Sequence, residues 1–494
     1  MPPVAGRNDA RNRPPGRHPG CNPGTTAPPG NRCAVTQFAQ MTGTPSTADL
    51  VRRDLAVVWH PCTQMRDHEE LPLIPVRGGS GPWLEGFDGK RYLDAISSWW
   101  VNLFGHANPR INARVRAQLE RLEHVILAGF THEPAIELAE ALTRLAPPGL
   151  TRCFYADNGS AAIEVAVKMS FHYWRNVGRP AKKRFVTLAN SYHGETLGAL
   201  AVGNVELYKS IYQPLLMDVI TAPSPDCYER ERGESWEAHS RRRFQDMAAT
   251  LERHADEVAA VIVEPLVQCA GSMRMYHPVY LELLRALCDR VGVHLIADEI
   301  AVGFGRTGTM FACEQAGIRP DFMCLSKGLT GGYLPLSTVL TTEPVYQAFY
   351  DEYTKLTAFL HSHSYTGNAL ACSAALASLA IFGTDHVLEN NRALARHMGE
   401  ATQKALGDHP QVAEIRQHGM ILAIELVRDR ATREPFDWRE RRGLRVYRHG
   451  LERGVLLRPV GNVVYFMPPY VISPAEIDLM VTVAREGIDL ATCD

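Results

Sequence analysis

Val293-His294-Leu295-Ile296-Ala297-Asp298-Glu299 and Asp321-Phe322-Met323-Cys324-Leu325-Ser326-Lys327-Gly328 are two short apolar runs. The first ends on a pair of acids, the second on a lysine. Runs of this length between turn signals read as strands buried on both faces, although a short buried helix carries the same pattern. Ligands of open α/β sheets sit beyond the carboxyl ends of the strands, so Asp298 and Lys327 are expected to reach one crevice. Outward from this pair, 184–189, 259–264 and 337–341 read as further strands. Stretches 161–175, 240–254 and 279–290 read as helices between them. The alternation predicts an α/β fold with a mainly parallel sheet. Residues 78–88 read as a turn-rich hairpin. After Gly383 the pattern changes to a helix at about 386–406 and apolar runs at 415–427 and 455–466, a smaller α+β domain.

The chain has 494 residues, a net charge of -2 and eleven cysteines. It is long enough for two or three domains. There is no basic excess to attract nucleic acid. No apolar run approaches the length of a membrane span. The cysteines are scattered, without a C-x-x-C pair, which suits a reducing cytoplasm. The first 40 or so residues are rich in Pro, Gly, Asn, Arg and Thr and almost devoid of apolar side chains. Such a segment buries too little surface to offset its ordering entropy, and disorder is expected. Met41 is a candidate start of translation.

Several segments carry possible chemistry, each with a plainer alternative. Asn158-Gly159-Ser160 opens a helix, as a phosphate cup of free N–H groups or as an ordinary N-cap. Tyr192 follows a strand, where its ring can stack on a cofactor or rest half-buried in a loop. Glu264 also ends a strand. Gly303–Gly308 is a tight loop in which Arg306 pairs with a carboxylate or braces the loop. His361 and His363 have H-x-H spacing, but no third and fourth ligand at recognisable spacing supports a metal. Trp99-Trp100 is core or the wall of a pocket for a long substrate. Arg458 is a fork for a carboxylate or one half of a surface ion pair. A lysine at a strand end can form a Schiff base, and an acid there can hold a pyridinium nitrogen. Those are the two groups that pyridoxal phosphate needs most from a protein.

Taken together, these segments resemble the class III (ω-amino acid type) pyridoxal-phosphate aminotransferases over about residues 55–490. The resemblance rests on Leu295–Glu299, Gly303–Gly308, Lys327, Gly159-Ser160 and Ser364. It is sharpened by WHPCTQM (59–65), SSWW (97–100), VQCAGSMRMYHP (267–278), HSHSYTGN (361–368) and LLRPVGNVVYFMPPY (456–470). It implies the fold type I of pyridoxal-phosphate transferases and the cofactor pyridoxal 5'-phosphate. The expected division is 1–50 disordered extension, 51–100 segment packing with the small domain, 101–383 large cofactor-binding domain and 384–494 small α+β domain. Within the family the match points to members that pass an amino group from S-adenosylmethionine to 8-amino-7-oxononanoate in biotin synthesis. Lysine as donor, or an ornithine, 4-aminobutyrate or polyamine substrate, is the alternative.

The resemblance also implies roles. Lys327 carries the cofactor and moves the proton, Asp298 keeps the pyridine nitrogen protonated, and Tyr192 packs on the ring and borders the substrate. Gly159 and Ser160 hold the phosphate, helped by the partner subunit's His363 and the partner subunit's Ser364 in a homodimer. Trp99, Ser362 and Arg458 contact substrate, Arg458 taking the carboxylate of the oxononanoate. Cys62, in the substrate site, stands where tyrosine is frequent, and a thiol is smaller and bonds more weakly. Glu195 stands where aspartate is frequent.

Overall fold

In a computed structural model of the protein, residues 45–493 are described. Most of the expected 1–50 extension therefore lies outside the described residues. Its last four residues begin a helix, Thr47–Val57, capped where Ser46 Oγ accepts from Asp49 N at 3.1 Å.

The core is a seven-stranded sheet: β1 (Leu150–Ala156), β2 (Arg184–Leu188), β3 (Ile220–Ala222), β4 (Val258–Val263), β5 (His294–Asp298), β6 (Phe322–Leu325) and β7 (Ser337–Thr342). Their spatial order is β1-β7-β6-β5-β4-β2-β3. The strands from β6 to β3 are parallel, while β7 runs antiparallel to both of its neighbours. The expectation of a mainly parallel sheet holds, with one reversed strand.

Strands β4, β5 and β6 are buried at every residue, which is why they read as unbroken apolar runs. Alternate side chains serve two different layers. Ile296, Phe322 and Cys324 pack under the helix Gly159–Asn176, while Leu295, Ala297, Met323 and Leu325 join the larger core on the other face. Burying each such side chain contributes about 1.5–3 kcal/mol. In the β5–β6 register Asp298 lies beside Cys324, so Lys327 leaves β6 three residues later at the same edge.

The helix Ala369–Thr384, apolar almost throughout, is covered by Pro109–Leu119 and Glu133–Leu145. Among the described residues no single helix is long and apolar enough to cross a membrane. Nine cysteines among them are free thiols.

The C-terminal region corrects two sequence expectations. The run 415–427 is not one strand but a hairpin, Val412–His418 and Ile421–Asp429, turning at Gly419. Gly419 has φ +54°, and a Cβ there would sit 2.5 Å from the backbone of Thr307. Only glycine satisfies both demands. The run 455–466 is two strands in two different sheets. Val455–Leu456 pairs in parallel with Arg91–Asp94, whereas Val463–Phe466 pairs with Ile421–Asp429. The link between them carries Arg458. Buried contacts join this region to the main body: Glu425 accepts from Arg274 at 3.0 Å, and Arg416, ion-paired with Glu425 on the same hairpin, donates to the carbonyls of Met273 (2.8 Å) and Ser272 (2.6 Å).

Candidate active site

Beyond the carboxyl ends of β4, β5 and β6 lies a cavity of about 630 Å³. Its wall brings together Cys62, Trp99, Gly159, Ser160, Tyr192, Asp298, Lys327 and Arg458, which are far apart in sequence. Asp298 ends β5 with its carboxylate fixed at both oxygens. Oδ2 accepts from His193 Nδ1 at 2.7 Å, and Oδ1 accepts from Ile300 N at 3.1 Å. His193 is buried, and its Nε2 has no partner among the described residues. The neighbouring Glu299 points away and accepts from Ala312 N and Cys313 N, so it ties the following loop rather than serving the cavity.

Lys327 opens a short 3-10 turn in a left-handed conformation, φ +46°. Such a backbone costs a residue with a Cβ about 1–3 kcal/mol and is held by its surroundings. Its Nζ lies 4.4 Å from the centre of the Trp100 ring. Burial holds the ammonium below the usual lysine range, against the opposing pull of Cys269, Asp298 and Glu264. A lysine with a lowered pKa has more of the neutral amine that attacks a carbonyl. Glu264 accepts from Tyr192 N at 2.9 Å and Cys269 N at 3.0 Å. Burial, then the charge of Asp298, pushes its carboxyl well up.

At the opposite side Asn158 is indeed an N-cap, its Oδ1 accepting from Ala161 N at 3.1 Å. That cap leaves the Gly159 and Ser160 N–H groups without an acceptor among the described residues. The cup and the cap are therefore the same structure, since the capping side chain serves only the third N–H. Gly194, φ +124°, packs over it so closely that a Cβ would lie 2.2 Å from Ser160 Oγ. The oxygen also accepts from Glu195 N at 3.3 Å.

The mouth is lined by Tyr192, whose hydroxyl donates to Glu195 Oε1 at 3.0 Å. The Cys62 thiol donates to the same oxygen at 3.8 Å, a weak bond. Burial and Glu195 push that thiol up. Arg458 is exposed, with its guanidinium carbon 4.8 Å over the Trp99 ring. Among the described residues no carboxylate pairs with it, so the alternative of a surface ion pair does not hold. Arg306 is fully buried and donates to the carbonyls of Pro468 (2.8 Å) and Asn102 (3.1 Å). It braces the loop and meets no carboxylate.

Ser362, His363 and Ser364 are not in the cavity wall of their own chain. His363 lies 3.4 Å from Asp157, and the Ser364 carbonyl accepts from His124 Nε2 at 2.7 Å. The expected contact of Ser362 with substrate is thus not made within one chain. The sequence reading named Trp100 with Trp99 as core or pocket wall and Glu195 as a residue that stands where aspartate is frequent, but gave His193 no role. His193 adjoins Tyr192 in the chain, and that adjacency was the available signal.

Residues 63–486 match the family described as aminotransferase class-III. An adenosylmethionine-8-amino-7-oxononanoate aminotransferase of Geobacter sulfurreducens is 46% identical over 88% of this chain and 96% of its own. The crystal structure of the enzyme with that same name from Methanocaldococcus jannaschii superposes with a TM-score of 0.84 at 37% identity, covering 89% of this chain and 98% of the other. An omega transaminase of Pseudomonas jessenii, solved in complex with PMP, gives a TM-score of 0.85 at 30% identity, covering 90% and 98%.

Proposed function

The chain belongs to the class III aminotransferases, enzymes that depend on pyridoxal 5'-phosphate, and from that premise we propose that it transfers an amino group from S-adenosylmethionine to 8-amino-7-oxononanoate. The product, 7,8-diaminononanoate, lies on the route to biotin. The observation that carries the acceptor is Arg458, a guanidinium without a carboxylate partner among the described residues, seated on the Trp99 ring at the cavity mouth. It suits a substrate with a carboxylate at the end of an apolar chain.

The residues present fit pyridoxal 5'-phosphate. Asp298, held by His193, faces the place of a protonated ring nitrogen. The Gly159 and Ser160 N–H groups with the Ser160 hydroxyl would hold a phosphate, and Lys327, in the same cavity wall, would offer its amine to the cofactor's carbonyl. When bound, the cofactor supplies a carbonyl that takes up the amino group and a ring that withdraws electrons from the reacting carbon. The chain's own groups do the rest. The Asp298 carboxylate is held in its orientation toward the cavity by His193 Nδ1 and Ile300 N, which both donate to it. Lys327 Nζ takes the proton from the substrate carbon and returns it to the other end of the reacting system. Tyr192 bounds the ring's side of the cavity, and its hydroxyl holds Glu195 in place. The buried Trp100 ring covers Lys327 Nζ, 4.4 Å from its centre, and limits water there.

One cavity serves both substrates in turn, so the exchange is ping-pong. The Glu195 carboxylate at the mouth suits a cationic donor, and the names of the relatives favour S-adenosylmethionine among such donors. In the homodimer of this reading the phosphate cup is completed by the partner subunit's His363 and the partner subunit's Ser364, and the enzyme acts in the cytoplasm. The test adds S-adenosylmethionine, lysine, ornithine or 4-aminobutyrate singly to holoenzyme. Loss of the bound cofactor's visible absorbance with S-adenosylmethionine alone is expected, and loss with lysine alone overturns the donor.

A further inference from the structure

Ser97, Ser98, Trp99 and Trp100 all have positive φ, at +52°, +47°, +73° and +72°. They form one left-handed turn, closed by Trp100 N on the Ile96 carbonyl at 2.8 Å and Val101 N on the Ser97 carbonyl at 3.0 Å. Glycine adopts this backbone readily, yet all four residues carry a Cβ. Such a turn persists only where its surroundings over-determine it.

The surroundings converge on Asp94, fully buried at the end of the strand Arg91–Asp94. Its Oδ1 accepts from Ser98 N at 2.9 Å and from Ile96 N at 3.4 Å. Its Oδ2 accepts from Ser98 Oγ at 2.7 Å and from His106 Nε2 at 3.0 Å. Asn102 Nδ2, just past the turn, in turn meets His106 Nδ1 at 3.2 Å. Nearly the whole acceptor capacity of one carboxylate is spent on a single turn and its flank. The two large side chains that the turn presents are those that line the cavity. Trp99 backs Arg458, and Trp100 lies against Lys327 Nζ.

We propose that Asp94 is the positioning residue of the substrate wall, holding the turn Ser97–Trp100 so that Trp99 seats Arg458 and Trp100 faces Lys327. The proposal rests on the reading of this cavity as the amino-transfer site.

The test uses holoenzyme carrying Asp94→Asn, in which an amide nitrogen replaces one acceptor oxygen. KM for 8-amino-7-oxononanoate rises about tenfold while kcat falls less than about threefold. The tryptophan band of the near-ultraviolet circular dichroism, assigned with Trp99→Phe and Trp100→Phe, changes shape. Adding Ser98→Gly, which takes the left-handed backbone at little cost, returns KM to within about threefold of wild type. An unchanged KM in Asp94→Asn, or a double variant no better than the single one, overturns the proposal. Should Asp94→Asn fail to fold, Ser98→Ala removes one of the four bonds and leaves the carboxylate. A KM and a tryptophan band both unmoved in Ser98→Ala overturn the proposal equally. The circular dichroism needs no substrate. A wild-type enzyme inactive on this keto acid therefore refutes the substrate assignment alone, and the band still decides the role of Asp94.

Discussion

Replacing Arg458 with alanine separates the two substrates. The guanidinium is exposed, stacks on Trp99 at 4.8 Å and has no carboxylate partner among the described residues. Its removal therefore breaks no ion pair within the fold, and little stability is at stake. A charge-assisted, fork-like bond to a substrate carboxylate contributes about 1.5–3 kcal/mol. The site opens to water, which places the value toward the lower end. The expected loss in affinity for 8-amino-7-oxononanoate is about ten- to a hundredfold. The half-reaction with the amino donor changes less, because the Tyr192–Glu195 and Cys62–Glu195 hydrogen bonds at the mouth do not involve Arg458. Single-turnover kinetics of each half-reaction, followed through the bound cofactor's absorbance, measure both. Equal damage to the two halves would refute this division of labour, and no effect on either would place Arg458 outside the substrate site.

Lys327→Ala is expected to lower turnover by about 10²–10⁴-fold or more while the protein stays folded, since the proton-transfer group is gone; near-normal transamination would reassign the site. Asp298→Asn should cut turnover severely but keep cofactor bound, because the phosphate cup and Lys327 remain, and titration with cofactor alongside activity checks both halves of that statement. His294, buried among Tyr173, Trp174 and Phe322, is pushed down to about 4 by burial. Between pH 6.5 and about 4 the unfolded chain binds a proton there that the folded protein refuses, so stability falls as pH falls through that window, by at most about 3 kcal/mol. Urea unfolding across this range should show a shallower acid loss in His294→Gln than in wild type, and parallel curves would contradict the assignment.

The sequence exposes the part of the site that depends on neighbours along the chain. Strands β5 and β6 are buried on both faces, so their residues are apolar without interruption. The polar residue that follows each run marks the strand's end. Asp298 and Lys327 were legible for that reason, and so was the helix start at Gly159. His193 and Arg458 acquire their meaning from contacts with residues a hundred or more positions away, Asp298 and Trp99, while Asp94 acts on residues within twelve positions, but through a left-handed turn that these residue types do not announce. No local pattern encodes that. The histidine that fixes Asp298 looks in sequence like any residue of a loop. The run 455–466 misled for a related reason. Both of its strands are apolar, and only the pairing partners, Arg91–Asp94 and Ile421–Asp429, show that the chain changes sheets between them.

That change of sheets explains why Arg458 is where it is. A chain leaving one sheet to enter another must cross the seam between them, and its linking residues cannot join either ladder. Their side chains and backbone are free to face whatever lies at the seam, here the mouth of the cavity. The tryptophan turn has the same origin. It follows Arg91–Asp94, the strand beside which Val455–Leu456 lies, and the chain turns back there, Trp100 N meeting the Ile96 carbonyl. The left-handed backbone from Ser97 to Trp100 makes that reversal within one turn, and the Asp94 carboxylate stabilises it. Arg458 and Trp99 therefore meet because their two segments leave adjacent strands of one small sheet at the same place. The carboxylate fork and the apolar wall are set by a single junction. A substitution that shifts the register of Val455 against Leu93 should then disturb acceptor binding through both at once, while Asp298 and Lys327, fixed on the other sheet, keep their geometry.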